Sequence, residues 1–351
     1  MTAADIRHYR LVNQQIAGSV FRKPEEIVNW LIAMQAQEFA MAKWAIGLRV
    51  PGSTDSIVEK AFNDGTILRT HLMRPTWHFV CPEDIRWLVK LTAPRVHALM
   101  AFMNRQLKLD SKIFTRSNDV IIKALEGGKF LTRIELQSAL KKEKIIAEGP
   151  RLGHIMMNAE LESIICSGPR QGKQFTYALL EERAPAVKAL SREESLSAFA
   201  TRYFTSRWPA TVQDFAYWSG LTIKDAKTGA ASLPGHFIKK IINGEEYILP
   251  GIIDVPKKKM KNTFLMPDYD EYGMSYKDRS AILPDDKYKK KASPVSYHMM
   301  VIDGVIGGTW QRTMKGNTVQ VTTVPFYPST KVQEKAITSA VKKHLAFFNK
   351  K

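Results

Sequence analysis

The sequence predicts an α+β fold: helix-rich units that each end in a β-hairpin, three in tandem, then a C-terminal antiparallel sheet or barrel-like part. Three observations predict it. Helix caps and apolar periodicity recur in groups of three ahead of paired β-branched runs. Two-residue turn signals such as Asn243-Gly244 and Asp303-Gly304 join such runs. And 44% of the 351 residues are hydrophobic, enough to fill several cores and too many for a disordered chain.

In chain order, residues 1–110 form the first unit. Helices are expected near 2–15, 24–34 and 56–64, then the paired strands TILRTHLM and PTWHFV. Two further helices, about 82–92 and 94–107, are expected to meet at Pro94, which cannot continue a helix without losing a hydrogen bond. The second unit, 111–185, is the clearest. Ser117 caps a helix through Leu125, which Gly127-Gly128 stops. Thr132 caps a second helix to about residue 142, with Glu135 at the capping-box position. A third helix, about 150–161, sets Leu152, Ile155, Met156 and Ala159 on one face. The short strands ESIICSG and QFTYALL follow, joined by the basic turn GPRQGK. Three helices and a hairpin is the order of a winged helix.

The third unit, 186–255, repeats that order. A helix over 191–204 precedes a short one capped by Thr211 and stopped by Gly220. A third runs over about 222–231, then the hairpin HFIKKII–NG–EEYILP. Residues 256–351 change character. A lysine run PKKKMKN leads into alternating β-branched stretches with turns at Asp303-Gly304 and Lys315-Gly316-Asn317, and a helix over about 331–348 closes the chain.

Charge narrows the partner. Against 52 Lys and Arg stand 34 Asp and Glu, a formal charge of +18, which on a folded body asks for a polyanion, nucleic acid before an acidic membrane surface. No run approaches the roughly 18 apolar residues a membrane helix needs. The N-terminus MTAADIRHYR has no apolar leader core, so secretion is not expected and a reduced cytoplasmic setting is. Cys81, Cys166 and the eight histidines show no CxxC, HxxxH or HExxH spacing, so neither a metal site nor a cofactor is expected.

The candidate chemistry begins at AMQAQEFAMAKWAIGL, where Gln35 and Gln37 interrupt an apolar run. On a helix the pair would point about 200° apart; in an extended segment they would share one face. The plain alternative is that one caps backbone groups where the second helix ends and the other is solvated. Glu38 adjoins them and is expected at the surface or at a cap. Asp268, Asp270, Glu271 and Asp278 cluster with Tyr269, Tyr272 and Arg279 in an otherwise basic chain. They read either as an ion-pair network that fixes a loop or as a source of one carboxylate, Asp270 or Glu271, that polarises a glutamine or a water. His78 follows the first wing, as a core histidine satisfied by backbone or as a catalytic one.

MQAQEF, RPTWHFV and the long signature LMPDYDEYGMSYKDRS…VIDGVIGGTWQR resemble the AlkZ-type winged-helix DNA glycosylases, whose relatives include YcaQ. The resemblance runs from about residue 7 to 326 and keeps the motif order. It implies tandem winged helices and a β-barrel-like part cradling duplex DNA. It also implies a catalytic Gln–apolar–Gln element, matched by Gln35-Ala36-Gln37, where the YcaQ branch has Gln–apolar–Asp. Two departures stand out. A strand expected to read Gly-Thr-Leu-His reads Pro75-Thr76-Trp77-His78, and Gly273-Met274-Ser275 replaces more apolar residues. Trp77 therefore bears on the shape of a neighbouring pocket, and with it on substrate range.

An amide pair suits one substrate class. A guanine alkylated at N7 is cationic and leaves as a neutral base without a general acid, so the enzyme needs only to place a water at the anomeric carbon and stabilise an oxocarbenium-like transition state. A glutamine carbonyl accepts a hydrogen bond from that water, yet is too weak a base for unactivated nucleobases. No lysine adjoins the pair for a Schiff base, so a monofunctional glycosylase is expected, acting on N7-alkylated purines and extending to interstrand crosslinks. Double-stranded DNA is the expected partner and a monomer the expected state. Arg69, His71 and Arg74 in the first hairpin, Arg170 and Lys173 in the second wing, Arg312 after Trp310, and the lysine runs 256–262 and 287–291 are the expected DNA contacts, to phosphate rather than base. The rival expectations are a winged-helix DNA-binding regulator without chemistry and, more distantly, an RNA-binding protein.

Overall fold

The structure, a computed structural model, describes residues 1–251, 262–292, 297–315 and 318–349. The lysines of the 256–261 run and the Gly316-Asn317 turn lie outside the described residues. The fold is α+β, and every described strand pairing between consecutive hairpin strands is antiparallel.

Local signals set most element ends. Thr2 and Asp5 form a capping box ahead of the helix Ala3–Asn13, and Thr132 and Glu135 form another ahead of Arg133–Lys142. Thr222 caps Ile223–Ala231 through the Asp225 N–H. Thr211 and Asp214 exchange reciprocal bonds of 2.9 and 3.0 Å at the start of Val212–Ser219. Asn243-Gly244 and Asp303-Gly304 both take left-handed backbone, as a two-residue hairpin turn requires.

Three expectations shift. The helix expected to begin at a Ser117 cap and run through Leu125 starts earlier, at Ser111, capped by Asp110, because Asp110 accepts from the Ile113 N–H while Ser117 lies buried inside the helix. The two helices expected to meet at Pro94 are one, Pro82–Gln106. Pro94 forfeits a single backbone bond, and its exposed ring costs no packing, so a buried face carrying Ile85, Leu88, Leu91 and Val96 holds the helix through it. The helix expected over 24–34 stops at Leu31, because Ile32 has φ +65° and ψ −54°, outside helical space; Ala33–Gln35 is then extended.

By packing, the chain divides into two compact units. One comprises Met1–Glu59, Ser197–Trp218 and Thr222–Lys351, the other Lys60–Leu196 and Ser219–Leu221. In the second unit Leu125, Leu136, Leu140, Ile155, Met156 and Ile165 fill a core roofed by a sheet whose strands run Leu131–Thr132, Thr176–Leu179, Ile165–Ser167 in spatial order. In the first unit the strand pair Phe237–Ile242 and Glu245–Pro250 lies apart from a four-stranded antiparallel sheet. That sheet's order is Thr318–Pro325, Val305–Lys315, Met299–Ile302, Thr263–Leu265. The terminal helix Lys331–Asn349 brings Phe347 and His344 against Trp44, and His344 against Trp310. The two indole N–H groups donate to the Leu265 and Met266 carbonyls at 2.8 Å. Among the described residues no helix is long and apolar enough to cross a membrane, and no three His, Cys, Asp or Glu side chains converge as metal ligands.

Candidate active site

The site is built on the break after the helix Pro24–Leu31. Gln35 ends the extended segment that follows, and Gln37 lies at a bend, half-buried, before the helix Phe39–Arg49. Glu38 is exposed at the N-cap of that helix and offers its backbone carbonyl, not its side chain, to the Ala42 N–H. The Gln35 side chain is 8% exposed, and its amide oxygen is buried with no hydrogen-bond partner among the described residues. A buried carbonyl ordinarily accepts a bond, so this one is available to a water or a ligand atom.

The Gln35 backbone is held from the acidic cluster. Glu271 Oε1 accepts the Gln35 N–H at 3.0 Å. Its other oxygen, Oε2, accepts from Trp218 Nε1 at 2.7 Å, Ser275 Oγ at 2.8 Å and Arg207 Nη2 at 3.1 Å. Burial alone would raise the Glu271 pKa; the Arg207 charge and the Gln35, Ser275 and Arg207 hydrogen bonds outweigh it, and the carboxyl is held below its ordinary value, ionised. Asp270 makes a bidentate pair with Arg49, both bonds 2.8 Å, and caps the next turn through the Tyr272 N–H. Asp214, 3.8 Å from Arg10, accepts the Lys277 N–H at 2.8 Å. Asp270 and Glu271 are thus buried and occupied by internal donors. Asp278 and Asp268 sit nearer solvent and hold the turns at Ser280 and His298.

Arg10, Arg49 and Arg207 are each about 1% exposed or less and went unremarked in the sequence. Their signal was there: each is an arginine inside an aromatic or aliphatic run, RHYRLV, WAIGLRV and RYFTSRW. An arginine in such a setting is buried only with a carboxylate partner.

The other candidates, Arg312 apart, lie in the unit that holds Lys60–Leu196. The hairpin Leu68–Leu72 and Thr76–Val80 pairs His71 with Trp77 and Thr70 with His78. Trp77, half-buried, contacts two side chains: the Arg69 guanidinium is 4.3 Å from its ring centre, and the His71 ring centre, its plane tilted by 41°, is 4.4 Å away. Arg69 also stacks on Phe175, and His71 Nδ1 bonds the buried carboxylate of Glu160. Arg69 and His71 are 7% exposed, so they are not free surface groups: Arg69 rests on the Trp77 and Phe175 rings and His71 is bonded to Glu160. Arg74 and Arg170 are half-buried and Lys173 is exposed. Arg312 is half-buried with its guanidinium 4.5 Å from the Phe348 ring.

His78 is fully buried. Its Nδ1 lies 2.9 Å from the Thr76 carbonyl, which can only accept, so Nδ1 carries the proton and the buried, unpartnered Nε2 is a lone pair. Burial, then the Arg74 charge, push its pKa down to about 3 against the pull of that carbonyl, so it is neutral at physiological pH.

A family model described as DNA glycosylase AlkZ-like matches residues 28–347. The chain is 24% identical over 223 residues to an interstrand DNA cross-link repair glycosylase of Streptomyces sahachiroi; the match takes in 61% of this chain and 59% of that relative's length. The solved structure of Streptomyces sahachiroi DNA glycosylase AlkZ is similar with a TM-score of 0.81 at 17% identity, over 99% of this chain and 96% of that one, a likeness of fold.

Proposed function

The chain belongs to the DNA glycosylase AlkZ-like family, and on that premise we propose that it is a monofunctional glycosylase that hydrolyses the N-glycosidic bond of N7-alkylated purines in duplex DNA. Crosslinks joined through the same guanine nitrogen are included, as the name of the 24% identical relative suggests. The observation that carries the reading is the Gln35 amide oxygen, buried and unpartnered on a segment whose backbone is fixed.

The step balances without an acid. A water held by Gln35, with Gln37 two residues on, adds its oxygen to C1′ as the C1′–N9 bond breaks. The bonding electrons leave with the base, which becomes neutral because N7 was already alkylated. The water's second proton passes to solvent. Glutamine orients and does not deprotonate, which confines the activity to leaving groups already activated. The lysine next in sequence, Lys43, supports water as the nucleophile. Its ammonium is held by Asp55 at 2.8 Å and Glu59 at 2.6 Å, a poor setting for Schiff-base attack. Arg74, Arg170, Lys173 and Arg312 are the proposed phosphate contacts, and the role of Trp77 is to shape a pocket wall rather than stack on a base, since Arg69 and His71 already cover its ring.

The test is excision from a duplex with one N7-methylguanine, read as alkali-dependent strand cleavage at the lesion. Cleavage by the wild-type protein and at least a 10²-fold slower rate (order of magnitude) for Gln35→Ala are expected. No cleavage on any of several N7-alkyl adducts, or an undiminished rate with both glutamines replaced by alanine, overturns the reading.

A further inference from the structure

We propose that Arg207 and Glu271 are positioning residues: a buried, electroneutral clamp that holds the backbone around Gln35 in a strained form and so aims its amide oxygen. The proposal rests on the water-orienting reading of Gln35 and deepens it.

Ten non-glycine residues among those described have left-handed φ. Gln15, Lys108, Lys144 and Ser163 follow helix C-caps, where such backbone is ordinary. Met73, Asn243 and Asp303 lie in hairpin turns, Tyr269 in a turn, and His298 at a bend just before the strand Met299–Ile302. Ile32 stands apart. It is β-branched, fully buried, and combines φ +65° with ψ −54°, a region in which its side chain crowds its own backbone. Such a conformation is strained and persists only where its surroundings impose it.

The imposing group is one guanidinium. Arg207 Nη2 donates to the Leu31 carbonyl at 2.9 Å and the Ala33 carbonyl at 3.3 Å, the two peptides that flank Ile32. The same nitrogen meets Glu271 Oε2, and Glu271 Oε1 takes the Gln35 N–H. One ion pair therefore holds backbone groups of residues 31, 33 and 35 in succession. Trp218 and Ser275 load Oε2, and Ser275 also accepts from Arg207 Nε at 2.9 Å, so neither partner of the pair can swing. The Arg207 guanidinium rests 4.1 Å from the Trp218 ring centre. Arg49 and Arg10, the other arginines buried in this unit among the described residues, spend their bonds on Gln14, Ala45 and Asp270, and on Pro209 and Asp214. Without the clamp, Ile32 would relax to negative φ and carry Gln35 off its line. A displacement of about 1 Å in a catalytic group costs on the order of 10²-fold in rate.

Single-turnover excision of N7-methylguanine from duplex, duplex Kd and Tm are measured for the wild type, Gln35→Ala, Arg207→Lys, Glu271→Gln and Trp218→Phe. Arg207→Lys and Glu271→Gln are expected to slow the chemical step about 10²-fold with Kd within about twofold of wild type. Trp218→Phe removes one donor from Oε2, keeps the aromatic packing, and is expected to slow the step about tenfold; it carries the test should a charge variant fail to fold. The decisive reading is non-additivity: because the clamp acts through Gln35, Gln35→Ala/Trp218→Phe is expected to be no slower than Gln35→Ala alone. Clamp variants that fold and work at the wild-type rate, or losses that add to that of Gln35→Ala, overturn the clamp and leave the function standing. A wild type without excision, or a fully active Gln35→Ala, overturns the function itself.

Discussion

At the scale of single residues, burial decides which titratable groups are free to act. His344 is enclosed by Trp44, Trp310 and Phe348, with neither ring nitrogen hydrogen-bonded among the described residues. Burial and then the Arg312 charge take its pKa down to about 3, as burial and Arg74 do for His78. A depressed histidine pKa means that between about pH 6.5 and 3 the unfolded chain binds a proton the folded chain refuses, so stability falls as pH falls, by up to about 1.4 kcal/mol per pH unit for each group. The melting temperature is therefore expected to drop between pH 7.5 and 5, and by less in His344→Phe, which removes one of the two groups and keeps the aromatic packing. An equal drop in both proteins would show that His344 titrates normally. Gly220 is another position where one atom decides: at φ +70°, an added Cβ would lie 2.5 Å from the Met73 carbonyl oxygen. Gly220→Ala is expected to cost about 2 kcal/mol or more, measured by chemical denaturation.

Elements were legible where their determinants are local. The Thr132–Glu135 box, the Thr211 cap and the Asn243-Gly244 turn act within three residues, and each is found as expected. Two of the errors share one cause. Pro94 breaks a helix locally, but the buried face of Pro82–Gln106 outweighs one missing bond; Ile32 would propagate a helix locally, but Arg207 takes its neighbouring carbonyls. In both cases tertiary contacts overrule propensity. Because Pro94 is exposed, Pro94→Ala touches only the backbone, and it is expected to stabilise the protein by about 1–3 kcal/mol, read from the denaturation midpoint at unchanged slope.

For the whole molecule, the charge of +18 bears on affinity and its response to salt. Burial removes Arg10, Arg49, Arg69 and Arg207 from the cations that can meet phosphate, although each counts in the formal charge. The salt dependence of duplex binding is accordingly expected to reflect exposed groups. Lys173→Ala should lower the slope of log K against log salt by about 0.9, whereas Lys60→Ala, whose exposed ammonium is paired with Asp64, should change it less. Equal changes in both would separate the slope from the wing. In the reading proposed, DNA is the substrate class that family membership supports, the exposed cations set how tightly it is held, and two uncharged glutamines do the chemistry.

By itself the sequence determined the α+β order of elements, the family, and the glutamine pair, because caps, turns and motifs are encoded in neighbouring residues. The tertiary structure alone decided what surrounds that pair. Gln35 and Glu271 are 236 positions apart, and Leu31 and Arg207 are 176 apart. No spacing rule links them. They meet because a carboxylate and a guanidinium buried against Trp218 and Tyr203 must satisfy each other, and the backbone that passes within hydrogen-bond reach of both is the one that carries Gln35.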